Sequence, residues 1–402
     1  MHIQKLISIA IVLQALLLFT PVRAFANTGE DQEIGVPQAI EESVYTCFGA
    51  ALSPDGNHFY TAHEDGVITQ YRINPFKKLS SVAFDREQLK DLRGRVGSQC
   101  HLLITSDEKK LIIRLRHKLL LIDTGSGRIL NKYAPVGYDV TISNAIMNDG
   151  ELVLFEADYE QRVYKLIVLD ANTLSKKREI KNLGEIIEIS QGGIPFFGRY
   201  RDRIYFAWSQ YRLLVLNSKT YTPELSLFSR GGHGEGVLPH ISRDYQTLYY
   251  KNVYKVTDYM TGKQTNLEVP TWGRSVDVLV FDQRTRESRI ENTNTIPKKT
   301  LVEFFLHPVG ASRAHNYLLA TIGRSASTGG IANLETGTML YRFYQYADGE
   351  AILIEEASPG EYRHFQLTSS ARKYLMMKNR EGNVIPINDA TFANYFLKNG
   401  LH

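Results

Sequence analysis

The sequence predicts an all-β chain, a seven-bladed β-propeller of four-stranded antiparallel blades followed by a short C-terminal helix. Three observations predict it. An Asp, Asn or Glu that closes an apolar run and opens a turn recurs at Asn74, Asp123, Asp170, Asn217, Asp282, Glu335 and Asn388. Its intervals of 47 to 65 residues lie near the period of roughly 40 to 50 that blades keep. Turn-forming clusters precede an apolar run at Leu52-Ser53-Pro54-Asp55-Gly56, Thr105-Ser106-Asp107, Asn148-Asp149-Gly150, Ser242-Arg243-Asp244 and Leu367-Thr368-Ser369-Ser370, as the tight turn between a blade's first two strands requires. Residues 27–402 are also too many for one core of about 250 to 300 residues, which favours a modular fold.

In chain order, residues 1–26 read as a secretory signal peptide: basic Lys5, an apolar run over 6–19, and small Ala24 and Ala26 flanking Phe25. The run falls short of the about 20 residues a membrane span needs, and no cysteine follows to take a lipid, so no transmembrane anchor is expected in the mature chain. The expected localisation is the periplasm or the bacterial exterior, which the lack of any Asn-x-Ser/Thr acceptor fits. Cleavage removes Lys5 and Arg23 and lowers the formal charge from +4. A nearly balanced chain argues against nucleic acid as a partner.

Residues 102–133 display the repeat most openly. Leu102-Leu103-Ile104, 111–115, 119–122 and 128–133 are four short apolar or half-apolar runs, separated by polar turns that include Thr124-Gly125-Ser126-Gly127. The propeller is expected over 47–388. The longest interval holds an extra hairpin at about 253–271, with Met260-Thr261-Gly262-Lys263 as its turn, placed as an insertion in blade five. The last strands are read at 373–377 and 384–387. Residues 389–402 form a helix or tail, with Phe392, Phe396 and Leu397 at helical spacing. The missing strand of blade seven would come from the N-terminal segment 27–46, between Ile34 and Thr46. Residues 85–92 are read as a helical turn, with Asp85 and Gln88 at capping-box spacing.

Residues 51–73 resemble the YVTN-type and WD-repeat propellers, because Ser53-Pro54-Asp55-Gly56, Phe59-Tyr60-Thr61 and Gly66-Val67-Ile68 fall where those repeats place turn, strand and strand. The chain has no Trp-Asp pair and no intact Tyr-Val-Thr-Asn. The matching residues are structural in such families, so the resemblance implies a fold and no active site.

Candidate chemistry is sparse. Cys47 and Cys100 open the first strands of adjacent blades in a chain sent to an oxidising compartment, and a disulfide between them is expected. It would close a 53-residue step and contribute about 3 to 4 kcal/mol; two separate buried thiols are the alternative, since a one-residue offset could turn them to opposite faces. Arg230-Gly231-Gly232-His233-Gly234-Glu235-Gly236, followed by His240, is the most unusual local sequence. Its glycines allow close backbone approach, and His233, Glu235 and His240 could bind a metal or move protons, although a tight crossover needs the same glycines. Tyr249, Tyr250, Tyr254, Tyr259 and Trp272 surround the insertion and suit a recognition surface or a core. The basic stretches Lys109, Lys110, Arg114, Arg116, His117, Lys118 and Arg199, Arg201, Arg203 read as solvated hairpin edges. No Walker loop, nucleophile elbow, zincin helix or EF-hand loop is present. No cofactor and no metal are therefore expected, and whether the chain is an enzyme stays open, leaning to no. The expectation is an exported propeller that binds another protein as part of an envelope or secreted assembly. The alternatives are a lactonase-like enzyme or dehydrogenase heavy-chain-like subunit with a small-molecule site at the axis, and a non-catalytic glycan or small-molecule binder.

Overall fold

Alternating and continuous apolar runs of four to eight residues, punctuated by Asp, Asn and Gly, favour strands joined by short turns, and the chain is all-β. The computed structural model describes residues 37–39, 47–63, 66–85, 87, 101–115, 117–137, 140–158, 161, 163–180, 196–200, 202–208, 212–229, 240–242, 246–251, 253–267, 277–292, 301–303, 310–312, 317–321, 328–333, 338–346, 348–358, 361–378 and 384–386. Among these the only helical element is the 3-10 turn Ala371–Tyr374, and no helix is long and apolar enough to cross a membrane. Residues 1–26 read as a signal peptide, the C-terminal 389–402, Cys100, His233, Glu235 and Trp272 lie outside the described residues, as does most of the helical turn read at 85–92.

Among the described residues the strands form six consecutive antiparallel sheets and a smaller one at the chain ends. The first comprises Cys47–Leu52, His58–His63, Val67–Arg72 and Lys77–Ala83; the second His101–Ile104, Lys110–Arg114, Leu119–Asp123 and Ile129–Tyr133; the third Val140–Asn148, Glu151–Asp158, Val163–Asp170 and Lys176–Ile180. Each is a meander of four neighbours. The fourth carries six strands, Phe196–Tyr200, Arg203–Trp208, Arg212–Asn217 and Pro223–Ser229, then Val253–Asp258 and Lys263–Asn266. The fifth is ordered Ser288–Asn292, Asp277–Asp282, Thr247–Lys251, His240–Ser242, Leu301–Glu303. The sixth runs Gly310–Ser312, Tyr317–Thr321, Thr328–Asn333, Met339–Gln345, Ala351–Ser358, Glu361–Leu367. A separate three-stranded sheet joins Pro37–Ala39 to Leu375–Lys378 and Val384–Pro386.

Among the described residues this arrangement departs from the expected seven four-stranded blades: the fifth sheet has five strands, the sheet at the chain ends has three, and two segments lengthen the fourth and sixth sheets. The hairpin read as an insertion in blade five does interrupt the fifth sheet in chain order, between Thr247–Lys251 and Asp277–Asp282, and it pairs with the outer edge of the fourth sheet, where Val253–Asp258 joins Pro223–Ser229. Residues 351–367, expected to lead into blade seven, pair onto Met339–Gln345 and lengthen the sixth sheet. Both are choices of pairing partner, which an apolar run does not itself encode.

Both faces of the middle strands are buried, which is why they read as unbroken apolar runs. Leu111 and Ile113 pack toward the first sheet, whereas Ile112 between them packs toward the third. The third and fourth sheets meet through Phe155 and Phe206, with ring centroids 4.5 Å apart, and the fourth and fifth through Tyr205, Leu227, Leu248 and Phe281. The sixth sheet packs directly on the first: Phe343 and Leu353 share a core with Leu52, Phe59 and Tyr71. The Phe343 ring lies edge-on to Phe59 at 4.7 Å, and the Tyr71 hydroxyl donates to Gly349 O at 2.8 Å.

One turn design repeats between third and fourth strands. Asp123, Asp170, Asn217 and Asp282 each end a strand and accept a backbone N–H two or three residues on, at 2.8 to 3.0 Å. The residue four positions further bonds back to the same residue's carbonyl and takes a left-handed backbone: Gly127 (φ 70°), Leu174 (55°), Tyr221 (62°) and Arg286 (64°). Each reaches the preceding sheet. A Cβ on Gly127 would lie 2.3 Å from Ala83 O. Leu174 enters the core shared with the second sheet. Tyr221 bonds Asn148 and Glu151 of the third sheet, and Arg286 bonds Asp258 and Glu224 O of the fourth.

Candidate functional site

Of the residues read from the sequence as functional, the described ones divide between packing and exposure. Tyr250 is 1% exposed, in the core between the fourth and fifth sheets; there it fills space and presents nothing to a ligand. Tyr249 and Tyr254 are partly buried, Tyr254 against Phe228 with centroids 6.2 Å apart, and Tyr259 is exposed. His240 opens a strand whose backbone pairs with Tyr249 and Glu303. Cys47 opens the first strand, its backbone paired with His63, and the Cys47–Cys100 bond lies outside the described residues. The basic stretch of the second sheet is only partly a solvated edge. Arg114 is buried and donates to Ile142 O at 2.8 Å, and His117 contacts Val140 O at 3.1 Å. These two side chains therefore tie the second sheet to the third.

The added hairpin is the first place where the structure offers a surface. Its turn repeats the common design, Asp258 accepting Met260 N–H at 3.0 Å. Arg286 from the fifth sheet clamps Asp258 through both carboxylate oxygens, while Glu224 on the adjoining strand is held by Arg203 at 2.8 Å and Asn217 at 3.0 Å. Burial raises the Asp258 carboxyl, and the Arg286 hydrogen bonds and charge outweigh it and hold it below its ordinary range. On this fixed base the tip exposes Tyr259 and Met260, the latter 65% accessible, and the outermost strand of the fifth sheet exposes Ile290 at 51%.

A second cluster lies where the first and second sheets meet. In the turn after Cys47–Leu52, Ser53 N–H bonds His58 O, and Asp55 accepts the Ser53 hydroxyl at 2.6 Å, Asn57 N–H at 2.9 Å and the Asn57 amide at 2.7 Å. Burial pushes the Asp55 carboxyl up, but these bonds and the adjacent His58 prevail and hold it at about 2. The second sheet opens with the same turn, Thr105 and Asp107 standing for Ser53 and Asp55. Here Glu108 occupies the left-handed position (φ 57°) that Gly56 (φ 75°) fills in the first.

From that corner the Glu108 carboxylate reaches back to His58 Nδ1 at 3.1 Å and the Tyr60 hydroxyl at 3.2 Å. Gln70 donates to the Tyr60 oxygen at 2.8 Å, so the Tyr60 proton points at Glu108. Burial, then the Glu108 charge, push the Tyr60 hydroxyl up. Ligand-capable atoms of Asp55, His58 and Glu108 all lie within 4.8 Å of one another. The sequence carried one sign of this cluster, a glutamate where the equivalent turn has glycine, and the periodic reading passed over it.

No protein-family model matches the chain, and no curated protein matches it.

Proposed function

We propose that the chain is an exported β-propeller that binds another protein as a component of an envelope or secreted assembly, through the hairpin added to its fourth sheet. Support for the ring comes from the core shared by the sixth and first sheets. Six stacked sheets would then make the blades in place of seven, and the sheet joining Pro37–Ala39 to Leu375–Lys378 would tie the two ends of the chain together. Export rests on the leader read at 1–26.

The observation that carries the binding reading is the clamped hairpin tip. Tyr259 and Met260, in the turn anchored by the Arg286–Asp258 pair, and Ile290, on the strand after Arg286, are large apolar groups in water. Exposed large apolar side chains on a rigid edge suit protein contacts, where aromatic and methionine side chains are enriched. Ordering costs little because the hairpin is already fixed.

Chemical cross-linking in the native envelope fraction, followed by mass spectrometry, tests the reading. The expected result is one partner protein cross-linked to the lysines beside the tip, Lys255 and Lys263. That product disappears in the Met260→Asp, Ile290→Asp double variant, whose melting temperature stays within about 2 °C of the parent because both sites are exposed. A partner that cross-links equally to the double variant, or only to residues remote from the hairpin, contradicts it.

A further inference from the structure

We propose that Asp55, His58 and Glu108 bind one divalent metal ion of the zinc class across the junction of the first and second sheets. The donors arrive from two turns separated by 50 residues in sequence, so their convergence is a product of the stacking. The separation of His58 Nδ1 and Glu108 Oε2, 3.1 Å, matches the edge between two ligands that each lie about 2.1 Å from a common ion. The Asp55 carboxylate completes a set of one nitrogen and two carboxylates, all within 4.8 Å. An imidazole with carboxylates suits zinc or its transition-metal neighbours better than the all-oxygen shells of calcium and magnesium.

The surroundings hold the ligands in place. Asp55 is fixed by the Ser53 hydroxyl and by Asn57. Glu108 is fixed by the Tyr60 hydroxyl, which Gln70 orients, while Gln70 itself accepts the Ser80 hydroxyl at 3.3 Å. Hydrogen bonds of this kind, one step out from the ligands, commonly set metal affinity. Two carboxylates converge on a single imidazole, and a bound cation supplies the charge that balances them. His58 and Glu108 side chains are 27% and 22% exposed, which leaves a route for the ion and room for water to complete the coordination.

The test uses the mature chain, stripped with chelator and titrated with Zn2+ by calorimetry and native mass spectrometry, beside Glu108→Gly and His58→Gln. Glu108→Gly suits the purpose because φ 57° is a conformation glycine adopts freely, so this variant loses the carboxylate while its backbone relaxes. The expected result is one Zn2+ per chain and a melting temperature about 3 °C or more higher at a hundredfold excess over Kd. Binding should be at least tenfold weaker in each variant, with the metal-free melting temperature of Glu108→Gly near that of the parent. The absence of stoichiometric Zn2+ from the parent, or equal affinity and equal thermal shift in parent and variants, overturns the proposal and leaves the three residues as a hydrogen-bonded clasp.

Discussion

The opening turns of the first and second sheets share a hydroxyl and a backbone N–H bonded to the turn aspartate, and they part at the left-handed position. Where the first has Gly56, the second has Glu108, both left-handed. Glycine takes that conformation at no steric cost, whereas an ordinary residue gives up about 1 to 2 kcal/mol. The second sheet has a preceding neighbour in chain order to reach, and Glu108 reaches it, bonding His58 and Tyr60. The turns between third and fourth strands repeat the lesson, with Gly127 allowing close approach and Leu174, Tyr221 and Arg286 reaching back with side chains. At Glu108, Leu174, Tyr221 and Arg286 a strained corner fastens one sheet to the one before it.

That comparison can be broken most forcefully at Gly127. Gly127→Ala meets both a left-handed φ and a carbonyl oxygen 2.3 Å from the new Cβ, so a loss of about 3 kcal/mol is expected in urea denaturation. A loss below about 1 kcal/mol would show that the first and second sheets are not in close contact there. Tyr221→Phe keeps the ring in the core and removes the hydroxyl that links Asn148 to Glu151. The expected cost is about 1 to 2 kcal/mol, and a neutral result would remove this clasp from the account.

Acid titration sharpens the same contrast from the side of the turn aspartates. Asp55 is depressed from 3.8 to about 2, and Asp107 is lowered chiefly by the Thr105 hydroxyl. Carboxyls depressed in the folded state contribute stability that is present above their unfolded value and lost as pH falls through the folded one. The urea midpoint should therefore fall as the pH drops from about 4 toward 2, and less steeply in Asp55→Asn. An unchanged slope in that variant would contradict the Asp55 assignment. Smallest of all is Glu108→Gly without metal. Relief of the left-handed strain offsets the lost hydrogen bonds, and stability by thermal melting should stay within about 1 kcal/mol of the parent.

The sequence carried the repeat through its turn residues, because Asp123, Asp170, Asn217 and Asp282 act locally, each accepting N–H groups within its own turn. What depends on distant partners was hidden. The hairpin's two strands and its turn could be read, yet its attachment to Pro223–Ser229 follows from which sheet edge is open. The apolar run 351–358 looks the same whether it begins a new sheet or extends an old one. Leu174, Tyr221 and Arg286 have no propensity for the left-handed region, so tertiary contacts impose it. The Asp55, His58 and Glu108 cluster showed in the sequence only as a glutamate in a glycine position, because its convergence is assembled from two turns.

The stacking of the sixth sheet on the first is the central claim, because the ring proposed for these sheets depends on it. A double-mutant cycle between Phe59→Leu and Phe343→Leu, measured by urea unfolding, tests it most directly. Rings 4.7 Å apart and edge-on should show a coupling of about 0.5 to 1.5 kcal/mol. Losses that add to within about 0.3 kcal/mol would mean the two rings do not touch, and the row would stand open.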